Sequence, residues 1–228
     1  MAKTPTIVEF YGLPGCGKST LCEALIQDET LRTVWMSDVT DRYRNESWLK
    51  RFSYIPWKSW LKCAKYMRSV PQVKGNGWGL YRPFFTISLA YSYFHKKFAT
   101  SGTILLIDHG LVQCFASLAH NLKFDVSDKA QHRFAAFYQS IGVDMPVFCQ
   151  IAKEETLNRI RTRKRSVGRI DVLMNEPEKA LKLLDKEVIL FEQISSVLED
   201  SVIHLDMSGN VSDIMDRFMV NFNENNQG

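Results

Sequence analysis

Gly12-Leu13-Pro14-Gly15-Cys16-Gly17-Lys18-Ser19 meets the spacing G-x-x-x-x-G-K-[ST] in full, with Thr20 behind it. An apolar run, Thr6 to Tyr11 (TIVEFY), leads into it, and Ser19 to Gln27 reads as a helix start. Strand, glycine-rich turn and helix are the context in which this spacing cradles a phosphate. Glycines let backbone N–H groups converge on phosphate oxygens with no Cβ in the way, and the helix N-terminus adds a partial positive charge. The motif assigns Gly12, Pro14, Gly15, Cys16, Gly17, Lys18, Ser19 and Thr20 to a nucleotide cradle. Lys18 is expected to reach the β- and γ-phosphates, and the Ser19 hydroxyl to ligate Mg²⁺.

Working outward, five short apolar runs read as strands: Ile7–Tyr11, Thr33–Met36, Ile104–Ile107, Val147–Ile151 and Val202–Leu205. Helical patterns separate them, so an α/β fold follows, a five-stranded parallel sheet with helices on both faces in three layers. Ligands in such folds bind at the carboxyl ends of strands. Attention therefore falls on Gly12 to Ser19, Ser37-Asp38, Asp108-His109 and the helix after Ile151. Later helices are marked by Phe134, Phe137 and Ile141, by Leu181, Leu184, Val188 and Phe191, and by Ile214 and Phe218.

The stretch 41–100, between the second and third strands, is longer than a crossover requires and predicts a helical insertion on the substrate side. Trp57, Trp60, Leu61 and Ala64 share one helical face. Pro83 is placed to open a further helix, along which Phe84, Ile87, Tyr91, Phe94 and Phe98 recur at spacings of three and four. Lys74 to Gly79 (KGNGWG) reads as the link between these helices. The aromatic stripe fits helix packing or a dimer face, and also a wall for a substrate ring.

Length and composition are those of one soluble domain over residues 1–228. The net charge of +4 is too mild to argue for nucleic acid as a partner. Five cysteines lack C-x-x-C or zinc spacing, which suggests reduced thiols and a cytoplasmic setting. Cys16, inside the cradle, is expected to be a small filler turned away from the ligand. Met1 to Pro5 is short and polar, so no secretory signal is expected. No apolar run is long enough to predict a membrane span. The polar tail from Asn221 to Gly228 is expected to fray.

Glu154 to Ser166 (EETLNRIRTRKRS) carries the second constellation. Leu157 and Ile160 begin an apolar face, and then Arg159, Arg161, Arg163, Lys164 and Arg165 surround the helix with charge. Such a helix cannot lie flat on the sheet. Beside a phosphate cradle it reads as a lid, at 158–171, whose guanidinium forks meet transferred phosphoryl oxygens.

Here the chain resembles a known group. Arg159-Ile160-Arg161-Thr162-Arg163-Lys164-Arg165 has the R-I-x-x-R-x-R form of the deoxynucleoside kinase lid, and it is similar to the lid of thymidylate kinases. The glycine loop, the third strand ending in an acid, the lid helix and the closing strand (Val202 to Asp206) come in that family's order, over most of the chain outside the central insert. The resemblance implies a P-loop NTPase fold, ATP and Mg²⁺ as cofactors, and Arg159, Arg163 and Arg165 on the phosphates. It also implies a small-molecule acceptor, by default a nucleoside or nucleoside monophosphate. The chain departs from the family where Asp108-His109 replaces the usual acid–Arg pair that helps hold the acceptor; Arg82 is a substitute candidate. The acid that commonly follows the lid is absent at Gly168, and Asp171 is the nearest.

Asp108, at the tip of TILLID, can hold Mg²⁺ or cap a helix. Asp38 is placed to bind the acceptor and take a hydroxyl proton, with Asp41 as a competitor, and His109 is a second candidate base or acceptor contact. Neither His95 nor His120 has a partner visible in the sequence. Besides phosphotransfer to a nucleoside, two readings stay open: a nucleotide-binding regulatory or adaptor module, and a kinase of a non-nucleotide alcohol. A GTPase switch is not expected, since the sequence lacks Asp-x-x-Gly after the third strand and Asn-Lys-x-Asp for guanine. Arg163→Ala or Arg165→Ala is expected to lower kcat by roughly tens to thousands-fold, as lost transition-state contacts do. Steady-state phosphotransfer assays check this, and an unchanged rate would make the tract a plain surface.

Overall fold

A computed structural model describes residues 5–47, 49–50, 53, 57–69, 77–99, 101–121, 127–162, 176–198 and 201–225. Five parallel strands form one sheet in the order β2-β3-β1-β4-β5: β1 Thr6–Gly12, β2 Thr33–Trp35, β3 Ile104–Ile107, β4 Met145–Gln150 and β5 Ile203–Asp206. Central β1 is almost wholly buried, as a parallel strand covered on both faces must be. Edge strand β5 alternates, with Ile203 and Leu205 inward and His204 and Asp206 exposed.

Alternate residues of β1 feed two cores. Val8 and Phe10 pack with α1 (Lys18–Gln27) and the last helix, whose Ile214, Phe218 and Phe222 are buried. Ile7 and Tyr11 face the larger core, built from the helices between β2 and β5. Those helices are α2 (Met36–Asn45), α3 (Trp57–Ser69), α4 (Gly77–Lys97), α5 (Leu111–Asn121), α6 (Asp128–Ile141), α7 (Lys153–Thr162) and α8 (Pro177–Leu198), with α9 (Val211–Asn225) closing the chain. The helix after β1 thus covers one face and the helix after its neighbour β3 covers the other. That reversal opens a crevice at the carboxyl ends of β1 and β3.

Three expectations change in the insertion. Pro83 lies inside α4 rather than opening it, because Gly77, Trp78 and Gly79 are already helical. The link predicted at 74–79 is therefore shortened; residues 74–76 lie outside the described set. On α3, among the described side chains, Cys63 and Tyr66 are buried whereas Trp57, Leu61 and Ala64 are exposed; that of Trp60 lies outside the described set. Tyr66 stacks on Phe137 of α6, with ring centroids 4.5 Å apart, and this contact selects the buried face. Along and just after α4, Tyr91 and Phe94 are buried in the core and Ile87 and Phe98 pack against it, so the described part of the stripe serves packing; the Phe84 side chain lies outside the described set.

One carboxylate is sunk in the larger core. Glu9 of β1 is fully buried and accepts hydrogen bonds from the Val112 N–H (2.7 Å) and the Tyr91 hydroxyl (3.0 Å). A Cβ at Gly110 would stand 2.2 Å from the Glu9 carboxyl carbon. Glu9 therefore ties β1 to the first turn of α5 and requires a glycine there. Burial pushes its pKa up to about 7, against the lowering effect of those bonds. The folded state holds this proton more tightly than the unfolded chain, so the contribution is full below pH 4.5 and declines as pH rises towards 7. Denaturant titrations at pH 5 and pH 8 should differ by roughly 2–3 kcal/mol from this group, and Glu9→Gln should remove that part of the difference.

Candidate active site

The loop after β1 is shaped by glycines at positive φ. Gly12 (φ 142°) lies against β4, where a Cβ would sit 2.4 Å from the Cys149 carbonyl oxygen. Gly15 (φ 80°) lies under α7, where a Cβ would meet Ile160 at 2.8 Å. Gly17 caps α1 in the left-handed conformation and brings no side-chain hydrogen bond to the helix start. The first-turn N–H groups therefore face outward with the positive end of the helix, an anion site. Lys18 is buried, and its Nζ donates to the Gly12 (2.9 Å) and Leu13 (2.8 Å) carbonyl oxygens, so the loop's own lysine braces its curvature. Cys16 turns its side chain into the smaller core. The neighbouring Cys149 thiol, with Lys18, holds the Cys16 thiol below the ordinary cysteine value.

Across the crevice, Ser19 Oγ donates to Asp108 Oδ2 at 2.6 Å, and Trp35 Nε1 donates to Oδ1 at 3.3 Å. A hydroxyl from the loop and a carboxylate from the next strand tip are a suitable oxygen pair for Mg²⁺, which keeps several waters and takes other oxygens from phosphates. Among the described residues no three His, Cys, Asp or Glu side chains cluster as a closed metal cage. The residues present thus suit a cation shared with a phosphate. Trp35 was read only as a strand residue, and its role as an orienting donor carries no local signal. His109 reaches solvent at the rim, yet the surrounding protein and nearby Lys18 push its imidazole pKa down, against the raising effect of Asp108.

Ser19, Lys18, Asp108, His109 and Arg159 line one cavity of about 860 Å³ together with Pro14, Gly15, Gly17 and Thr20. Asp38 and Arg82 do not line it. The chain enters α2 directly at Met36, burying Met36 and Val39 and leaving Asp38 exposed on the first turn. Arg82 is exposed on α4. Their acceptor-side roles are expectations from the sequence, and this cavity does not include them. Arg163 and Arg165, with the rest of the tract to residue 171, lie outside the described residues.

Arg159 combines two positions. It sits on α7, whose Thr156, Leu157 and Ile160 are buried, so this first part of the basic segment packs like an ordinary amphipathic helix. Its guanidinium donates to the Cys16 carbonyl (3.0 Å), the Met207 carbonyl (3.1 Å) and Glu155 Oε1 (2.5 Å). It therefore bridges the phosphate loop to the segment after β5 at the cavity wall. The residues that sequence reasoning missed are on the two flanks. Met207, Gly209, Asn210, Val211 and Ile214 close one side; Gln113, Ser117 and Glu187 close the other.

No family model and no curated protein matches this sequence. Among solved structures, deoxyadenosine kinase from M. mycoides with products dCMP and dCDP bound matches at 14% identity and a TM-score of 0.52, over 96% of this chain and 100% of that one. The same kinase with bound dCTP matches at 14% identity and a TM-score of 0.50, with the same coverage. Shikimate kinase from Bacteroides thetaiotaomicron aligns at 11% identity over 96% of this chain and 98% of that one, with a TM-score of 0.47.

Arg159→Ala should lower unfolding free energy by roughly 1–3 kcal/mol, the range for charged hydrogen bonds to buried partners, as read by denaturant titration. An unchanged midpoint would mean that the bridge holds nothing.

The five parallel strands, the glycine loop after β1 and the acid at the tip of β3 give this chain the fold of the P-loop small-molecule kinases.

Proposed function

We propose that this chain transfers the γ-phosphoryl group of ATP to a small-molecule acceptor with the help of Mg²⁺. The observation that carries the reading is the 2.6 Å contact between Ser19 and Asp108 at the mouth of the phosphate loop. A loop that only recognised phosphate would need the helix N-terminus alone; the paired hydroxyl and carboxylate add the ligands of a phosphate-bound cation.

In this reading the first-turn N–H groups of α1 and Lys18 hold the triphosphate. Ser19 and Asp108 hold Mg²⁺, which would neutralise charge on the phosphate oxygens. Met207, Val211 and Ile214 offer the donor base an apolar flank. An acceptor oxygen bonds to the γ-phosphorus as the bond from that phosphorus to the bridging oxygen breaks. The electron pair leaves with ADP, and the hydroxyl proton passes to solvent. Positioning and charge stabilisation supply the rate, as is general for this transfer. Arg159 keeps the loop in register with the base flank, and the basic residues that follow it are the proposed cover over the transferred group.

Lys18→Ala should reduce kcat/KM for ATP by roughly a hundredfold or more while circular dichroism shows the fold retained. Turnover near the wild-type rate would refute the phosphate-cradle assignment.

A further inference from the structure

Residues 47–107 contain ten Lys and Arg and no Asp or Glu, whereas the rest of the chain holds nineteen basic residues against twenty-five acidic ones. The mild total of +4 therefore conceals a strongly cationic segment in an otherwise acidic protein.

The helix α3 displays part of that charge. It turns Cys63 and Tyr66 to the core, and Trp57, Leu61 and Ala64 stand on the opposite side at spacings of four and three. Trp57 is 68% exposed and Leu61 54%, so the outward stripe of the helix is apolar. Lys58, Lys62 and Lys65 are exposed along one flank of the stripe. On that flank a hollow of about 420 Å³ opens between α3 and α6. Tyr66 and Phe137, buried and stacked, make its apolar floor, and exposed Lys62, Lys65 and Arg133 make its rim. None of these residues lines the phosphate cavity.

An apolar crest edged by lysines selects among partners. Leu61 and Ala64 gain nothing from bases or phosphates, whereas a nucleic-acid groove places cations and aromatic platforms at its centre. A second copy of the chain would set one cationic flank against another, and Asp128 at the start of α6 is the one acid the two helices carry. A bilayer with anionic headgroups meets both features. Trp57 and Leu61 can enter the boundary between headgroups and acyl chains, while the lysine ammonium groups stay at phosphate level on their apolar stems.

We infer that the outer face of α3, with the hollow beside it, docks on the surface of an anionic phospholipid bilayer. The docking is independent of the phosphotransfer reading and leaves the phosphate cavity free.

The test sediments the full chain with vesicles of phosphatidylcholine alone, and of phosphatidylcholine with roughly one phosphatidylglycerol in three lipids. Binding to the anionic vesicles should exceed binding to the neutral ones by roughly tenfold or more and should weaken as salt is raised. Trp57→Ser with Leu61→Ser, and separately Lys58→Gln with Lys65→Gln, should each reduce it by roughly tenfold. Circular dichroism and Mg-ATP affinity should stay unchanged in both. Should the first pair fail to fold, Leu61→Gln alone should give a smaller loss of the same sign. Inorganic phosphate should release the protein no better than chloride at equal ionic strength. The inference is overturned if the two kinds of vesicle bind alike, if neither binds, or if the folded variants bind as the parent does. It also falls if light scattering shows a dimer that Trp57→Ser with Leu61→Ser converts to a monomer, since a second copy then covers the face. A single-stranded oligonucleotide that binds more tightly than the vesicles, and is lost in the same variants, would overturn it in favour of nucleic acid.

Discussion

The parallel pairing of β1 with β3 is the constraint on which the rest depends. Register sets Thr6 beside Ile104 and Glu9 beside Ile107, so β1 runs on past the end of β3 to Gly12, and the segments that follow the two strands share one crevice. Because α1 leaves to one face and α5 to the other, a crevice opens between them, and Ser19 and Asp108 meet across it although 89 residues separate them. A slip of two residues along either strand would move the carboxylate by about 6–7 Å, far beyond hydrogen-bond reach. Hydrophobic burial of both faces of β1 fixes this register, since the same strand must deliver Ile7 and Tyr11 to one core and Val8 and Phe10 to the other.

Glu9 secures the same junction by a polar route. A carboxyl group in the middle of a buried strand opposes folding unless donors converge on it. Here the backbone at Val112 and the hydroxyl of Tyr91 do so, and Gly110 leaves the space. The turn carrying Asp108 and His109 is thereby held from below by β1. Stability given up to desolvation is returned as a fixed approach of the acid to the phosphate loop, which is the arrangement expected where a site must be pre-organised.

Arg159 shows how a charged residue beside a phosphate site can also hold the protein together. Its three contacts span the phosphate loop, its own helix and the segment after β5. With Gly15 packed beneath Ile160 of the same helix, α7 acts as a clamp over the loop. Met207 and Gln113, on distant segments of the chain, line the same cavity as Lys18, Ser19 and Asp108.

The phosphate loop, the alternation of strands and helices and the acid at the third strand tip were all legible in the amino-acid sequence. Each rests on local physics: glycine's access to positive φ, the periods of strand and helix, and residues adjacent along the chain. Helix starts in the insertion were less legible, because Gly77 to Pro83 reads as a breaker while packing of the aromatic residues after it carries the helix through. The exposed placement of Asp38 was not legible for a related reason: position just after a strand does not say which way the first helical turn faces. Strand order, the meeting of Ser19 with Asp108, the carbonyl partners of Arg159, and the presence of Gln113 and Glu187 in one cavity wall came only from the tertiary structure. These are contacts through space between segments far apart in the chain, and no local period or spacing encodes which distant backbone will supply the partner.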